Sequence, residues 1–425
     1  MSSKVSVTPS GPMLAADGTP LKTSLARALR AQKLRALMLV APLLVFVLVS
    51  FLFPIGDMLF RSVENQIVPQ TLPHTVATLS DWDPMGSELP GEPTFAALHQ
   101  DLTAAVAAKT NTRLGTRLNY ENSGMSSLMR GAGRDIRDMD PGQPLKEQFI
   151  AADKKWGDIA TWQTIKRFSG NYTAGYLLTA LDLQRNPDGS IGFKPPAERV
   201  YLMLFARTAI MSVAITGACL LLGYPIAYLL ASLPLRTSNL LLILVLLPFW
   251  TSLLVRTASW KVLLQQQGVI NDILVWAGII DNANRLVMIN NATGTIIAMT
   301  HILLPFMILP LFSVMKTIPP SYLRAAKSLG ANDWTAFWRV YFPQSIPGVG
   351  AGAILTFILA IGYYITPELV GGTSGVFISN RIAYHISSSL NWGLAAALAT
   401  LLLVVVLGLY YTYDRIVGID NVKLG

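Results

Sequence analysis

The sequence predicts an all-α membrane protein: six transmembrane helices, with a large insertion between the first and the second. Three observations predict it. Only 13% of the 425 residues are charged and 52% are hydrophobic, with a mean hydropathy of +0.46; soluble domains carry about 25% charged residues. The apolar residues gather in runs of roughly 20, the length that crosses about 30 Å of hydrocarbon. The net charge of +9 is unevenly placed: residues 61–199 hold 15 Lys/Arg against 16 Asp/Glu, and the rest of the chain holds 18 against 8. Positive charge in short loops beside apolar runs follows the positive-inside bias, not the pattern of a nucleic-acid surface.

Residues 1–35 form a polar N-terminal segment ending in Lys22, Arg27, Arg30, Lys33 and Arg35. A helix lying on the membrane surface is expected over residues 20–35. Residues 36–60 are the first span, too long for a signal-peptide core and without a small-residue cleavage site. The N-terminus is then cytoplasmic. Residues 61–198 differ in kind, being rich in Asp, Arg, Gly and Asn. Helical patches are expected near Phe95–Thr110 and Leu145–Phe168, and the segment 185–193 reads as a turn or hairpin. Trp156, Trp162 and Phe168 would supply part of a core; partial disorder is the alternative. Loops this long cross a membrane whatever their charge.

Residues 200–420 carry five further spans, near Leu202–Leu230, Leu240–Trp260, Gly294–Val314, Gly348–Val370 and Leu394–Tyr413. Six spans return the C-terminus to the cytoplasm and leave 61–198 outside. Arg236, Lys316, Arg324, Lys327, Arg339, Arg415 and Lys423 then face the cytoplasm, against Asp333, Asp414 and Asp420. No internal repeat is visible, which argues against an inverted-repeat carrier. The one cysteine, Cys219, lies in an apolar run, excludes a disulfide framework within the chain, and reads as a small core residue.

Residues 316–346 interrupt these spans with a polar island. Pro319-Pro320 should end the fourth span and Ser321 should cap a short helix over Tyr322–Leu329, in which Ala325 and Ala326 are strong helix formers. Gly330 stands where a left-handed residue would turn the chain. Asn332 can cap a second helix, on which Trp334, Phe337, Trp338, Tyr341 and Phe342 share one face; Pro343 stands near its end. Such a hairpin is either an interfacial aromatic belt or a docking element for something soluble.

The spacing resembles the EAA loop of bacterial ABC importer permeases, E-A-A-x3-G-x9-I-x-L-P. Ala325-Ala326 is followed by three residues and Gly330, then by nine residues and Val340-Tyr341-Phe342-Pro343. Val stands for Ile and Phe for Leu. Arg324 stands where the family has glutamate and cannot close an S-x-x-E capping box with Ser321. LPFWTSLLVRTASW at 247–260 resembles the third span of spermidine/putrescine-type permeases, and GYYITPELVGG at 362–372 the end of their fifth. The resemblance covers about 36–60 and 200–420 and does not reach the insertion.

It implies the type I ABC importer fold and a permease subunit in the bacterial inner membrane, forming half of a pathway for a small solute such as a polyamine. The implied partners are a dimer of ABC ATPase subunits, a second permease subunit (identical or paralogous), an extracytoplasmic solute-binding protein and membrane lipid, with no nucleic acid. The implied ATPase-coupling residues are Ser321, Arg324, Ala325, Ala326, Gly330, Trp334 and Pro343. ATP is expected on the partner, because the chain has no G-x-x-x-x-G-K-[ST] phosphate loop. It has no H-E-x-x-H, nucleophile elbow or Cys/His cluster either, so no catalytic residue, cofactor or metal site is expected.

Ionisable residues inside spans usually face a bundle interior or water. Asp57 and Arg207 stand near span ends and read as solvated or snorkelling. Arg256 is open between pairing, snorkelling and contact with cargo. Glu368, before an expected helix break at Gly371-Gly372, is either a contact for a cationic cargo or a solvated helix end. Trp250, Tyr363 and Tyr364 offer cation–π faces, though packing would also use them. With Arg256 and Glu368 they are the candidate substrate pathway. His301 reads as a satisfied bundle residue. A secondary carrier, or a membrane-anchored sensor or scaffold working through the external domain, are the rival readings.

Overall fold

The computed structural model describes residues 21–185 and 190–417 and divides into two units, Met1–Phe60 and Arg61–Gly425. In the first, a helix over Leu21–Val47 runs through a π turn at Leu48–Leu52 into a helix over Phe53–Arg61. Gln32–Arg61 is long and apolar enough to span a membrane. The expected separation of a surface helix at 20–35 from the span is absent. Strong helix formers run unbroken across that boundary, so the backbone has no reason to stop there.

The second unit opens with the inserted segment. Its main helices are Glu92–Ala107, Asn111–Asn119, Met125–Asp135, Leu145–Ala152 and Ile159–Arg167. They enclose Phe95, Phe149, Trp156, Trp162 and Phe168, all buried. Phe95 meets Trp162 edge-on at 4.7 Å between centroids and Phe149 meets Trp156 at 5.3 Å, contacts worth about 0.5–1.5 kcal/mol each beyond their area. The ends of the segment are tied: Asn65 N donates to Asn171 O and Thr173 N to Val63 O, each at 2.8 Å. Leu183–Arg185 pairs antiparallel with Ile191–Phe193, the hairpin expected over 185–193; its tip, residues 186–189, lies outside the described residues.

The membrane core consists of helices over Tyr201–Ser232, Ala292–Thr317, Asp333–Gly362 and Trp392–Arg415, with one bent pair. Lipid tails give helices little reason to associate, so small residues at contacts matter. A Cβ on Gly348 would lie 2.9 Å from Val314 Cβ, and one on Gly352 would lie 2.7 Å from Met307 Sδ. These two glycines let the fourth and fifth spans close on each other.

Two spans differ from expectation. The third is not one helix over Leu240–Trp260. It is Leu235–Trp250 followed by Leu253–Leu263, at 93° to each other. Pro248 lies in the 3-10 turn Leu247–Trp250, and Thr251 and Ser252 are extended, so the chain turns rather than bends. The fifth begins at Asp333, not Gly348, and ends at Gly362. A π turn at Phe337–Tyr341 carries the hairpin's second arm straight into the span. Pro343 follows that turn; the wider π turn relieves the lost N–H and ring clash that would otherwise stop a helix here. The first break beyond the span is at the extended Tyr363, before the short helix Ile365–Val370; Gly372, at φ +53°, makes the second turn.

The insertion is fastened to the core. Tyr176 and Ala180 pack with Leu204, Ile378, Leu394, Ala397 and Leu398. Asp182 is buried and accepts from the N–H groups of Val200 and Tyr201 at 3.1 Å and Leu202 at 2.7 Å. A carboxylate at the N-terminus of the second span satisfies its orphan donors and its dipole. At the other end of that helix, Lys316 donates to the carbonyl of Ala231 at 3.3 Å. Insertion and hairpin therefore sit at opposite ends of a 32-residue helix, about 48 Å long at 1.5 Å per residue.

Candidate functional site: a capped hairpin and a broken span

The hairpin's first arm is Pro320–Ser328. Its N-cap position is Pro319, and Ser321 lies within the first turn with no capping bond, contrary to expectation. Proline at the first helical position pre-sets φ and has no N–H to satisfy, so the helix starts two residues early. Arg324 is exposed, and Ser328 Oγ donates to its carbonyl at 3.0 Å.

The arm closes on a Schellman turn. Gly330 has φ +88°, its N–H bonds Lys327 O at 3.0 Å, and the Ala331 N–H bonds Ala326 O at 3.1 Å. Asn332 Oδ1 then accepts from Thr335 N at 2.8 Å and starts the second arm. Lys327 pairs with Asp333 across the turn. The hydrogen bond to that carboxylate, more than its charge, raises the Lys327 pKa above its ordinary value.

The aromatic face is divided, not single. Phe337 and Tyr341 turn inward, 5.8 and 5.0 Å from the Tyr228 ring of the second span. Tyr224 Oη and Ser345 Oγ share a hydrogen bond at 2.9 Å. Trp334 and Trp338 stay outside, 5.6 Å apart and 71% and 44% exposed. The π turn at Phe337–Tyr341, within the second arm, shifts the helical register and splits the stripe. Ala325, Gly330 and Pro343 are also exposed, and Ala326 is half-buried.

At the other break, Thr257 Oγ1 meets Thr366 Oγ1 at 3.1 Å and joins the post-bend helix to Ile365–Val370. The carbonyls freed by the break find partners, as non-helical backbone in a membrane requires. Ser379 Oγ donates to Tyr363 O at 2.5 Å, and Asn380 Nδ2 to Tyr364 O at 2.9 Å and to Glu368 Oε2 at 2.7 Å. Trp260 Nε1 donates to His301 Nδ1 at 3.1 Å, so His301 is satisfied.

The half-buried Arg256 has a buried Nε without a partner among the described residues. It lies one residue from Thr257, so the structure brings Arg256, Tyr363, Tyr364 and Glu368 around one junction. Trp250, 76% exposed, stands on the far side of the bend. Arg207 does not simply snorkel: its Nη1 donates to Thr373 O at 2.9 Å and holds the loop after the break. Asn380 and Asp182 were not singled out by sequence; a lone Asn or Asp beside a turn gives no spacing signal.

A polytopic helical bundle that carries a rigid, capped hairpin at one end and a broken span at the other defines a membrane transport component. Residues 220–415 match the family described as binding-protein-dependent transport system inner membrane component. The chain is 36% identical over 210 residues to the spermidine/putrescine transport system permease protein PotB of Escherichia coli, covering 49% of this chain and 75% of that one. It is 34% identical over 222 residues to PotB of Haemophilus influenzae, covering 52% and 77%. A solved bacterial alginate ABC transporter matches at 18% identity over 53% of this chain and 81% of that one, with a TM-score of 0.41. The chain belongs to the binding-protein-dependent transport system inner membrane components, the permease subunits of ABC transporters.

Proposed function

We propose that this chain is the permease subunit of an ATP-driven importer and forms half of a translocation pathway for a polyamine or a related small compound. The observation that carries this is the hairpin built as one piece with the fifth span. A partner pressing on Trp334, Trp338 and Ala325 would move the helix that ends at the Tyr363 break. The spermidine/putrescine permeases among its relatives favour a polyamine cargo. Glu368 would offer it a carboxylate, with Tyr363, Tyr364 and Trp250 supplying aromatic faces.

In this reading an ATPase dimer binds ATP and docks on the hairpin, and Ser321, Arg324, Ala326, Gly330 and Pro343 shape the docked surface. A second permease subunit completes the pathway, and a solute-binding protein delivers cargo on the side of residues 61–198. The termini are cytoplasmic and the membrane is the bacterial inner membrane. Co-purification of an ATPase, followed by uptake of labelled spermidine into proteoliposomes, tests this. Uptake driven by an ion gradient with no ATPase present would overturn it.

A further inference from the structure

We propose that the cleft between the inserted helices and the start of the last span binds a phosphate-bearing anion. The cleft encloses about 470 Å³. Lys109, Arg113 and Arg117 line one wall, at i, i+4 and i+8; Ser389, Asn391 and Trp392 line the other, and no acidic residue lines it. Lys109 and Arg113 are exposed and have no ion-pair partner among the described residues.

Arg117 is 1% exposed and stacks against Phe168 at 4.5 Å and Tyr176 at 4.2 Å. Its Nη1 pairs with Glu121 at 3.0 Å, while Nε and Nη2 are buried without partners. Asn391 is 5% exposed; its Oδ1 caps the last span by accepting from Leu394 N at 3.2 Å, and its Nδ2 has no partner. The three donor atoms without acceptors, Arg117 Nε and Nη2 and Asn391 Nδ2, are buried at a cost, and the exposed Lys109 and Arg113 make the same cleft electropositive. Asp101 faces the adjoining cavity and is taken up by His74 and by the N–H and Oγ1 of Thr75.

Phosphate supplies the charge and several acceptor oxygens, and its pairing with guanidinium is strong. Trp392 is both the cleft wall and the first residue of a span, so a lipid headgroup and a free phosphate would present the same group.

The test is thermal unfolding of the purified full chain in nanodiscs. One arm titrates inorganic phosphate into phosphatidylcholine discs at fixed ionic strength. The other replaces phosphatidylcholine with phosphatidylglycerol and adds no phosphate. Stabilisation in the first arm identifies a free anion, and stabilisation in the second alone identifies a headgroup. In either, the Lys109→Gln/Arg113→Gln pair should raise the half-saturating concentration about tenfold or more, and Lys109→Glu/Arg113→Glu should abolish the shift. Both residues are exposed, so the variants fold. No shift in either arm, or a full shift in the charge-reversed pair, overturns the proposal.

Discussion

Replacement of Gly330 separates two reasons for a glycine in the hairpin. A Cβ there would meet nothing within 4 Å in this chain, yet φ is +88°. The cost within the chain is therefore conformational, about 1–2 kcal/mol for Ala in the left-handed region. That is roughly 5- to 30-fold in the equilibrium between the closed and opened turn. Asn tolerates this region far better. Spermidine taken up per ATP hydrolysed, in proteoliposomes carrying the assembled transporter, should then fall in the order Gly330, Asn, Ala, Val. Asn should stay within about threefold of glycine, and Ala should lose uptake while hydrolysis continues. If Asn fails as badly as Ala, the partner's groove and not the turn demands glycine. If Ala is fully coupled, the Schellman turn has no mechanical part and the reasoning fails.

Four further outcomes are expected. Gly352→Val places atoms against Met307 Sδ and O and should cost about 1–3 kcal/mol by overpacking, seen as a lower unfolding temperature. Trp162→Ala removes a fully buried ring and should cost about 3–5 kcal/mol, read as protease cleavage within residues 61–198. Glu368→Gln should slow spermidine uptake without disturbing assembly of the complex; unaltered transport would remove Glu368 from the pathway. Burial, and then Arg381, holds the His385 imidazole down to about 4, against about 6.5 in the unfolded chain. Its stabilising contribution is full above about pH 6.5 and is lost as pH falls toward 4. Amide exchange over Ile378–Ser387, corrected for intrinsic rates, should accelerate across that window and stay flat in His385→Gln.

The long apolar runs were legible because membrane length leaves one solution for twenty such residues. So were Gly330 and Asn332, since each meets a local backbone need that spacing exposes. The helix breaks were harder. Pro248 suggests a bend, but a 93° turn needs Thr251 and Ser252 extended, which no periodicity reveals. Pro343 looked like a terminator, and only the π turn before it shows why the helix continues. The divided aromatic stripe has the same origin: five residues with helical spacing are sorted inward or outward by a register shift that the spacing cannot contain. Asp182 caps a helix almost twenty residues away in sequence, a contact fixed by the docking of the insertion.

The continuous helix Asp333–Gly362 is a lever. Thirty residues make a rod about 45 Å long, pinned midway where Gly348 meets Val314 and again one turn further where Gly352 meets Met307. A tilt of about 5° at one tip swings the other by about 2 Å if the pivot is central, and by about 4 Å if it lies at the hairpin. In the proposed reading, the distance from Gly348 and Gly352 to each tip would set the gearing between a stroke at Trp334 and an opening at Tyr363. Moving that fulcrum by one turn, with small residues shifted to 344 and 348, should alter the length of the transport stroke without touching either tip.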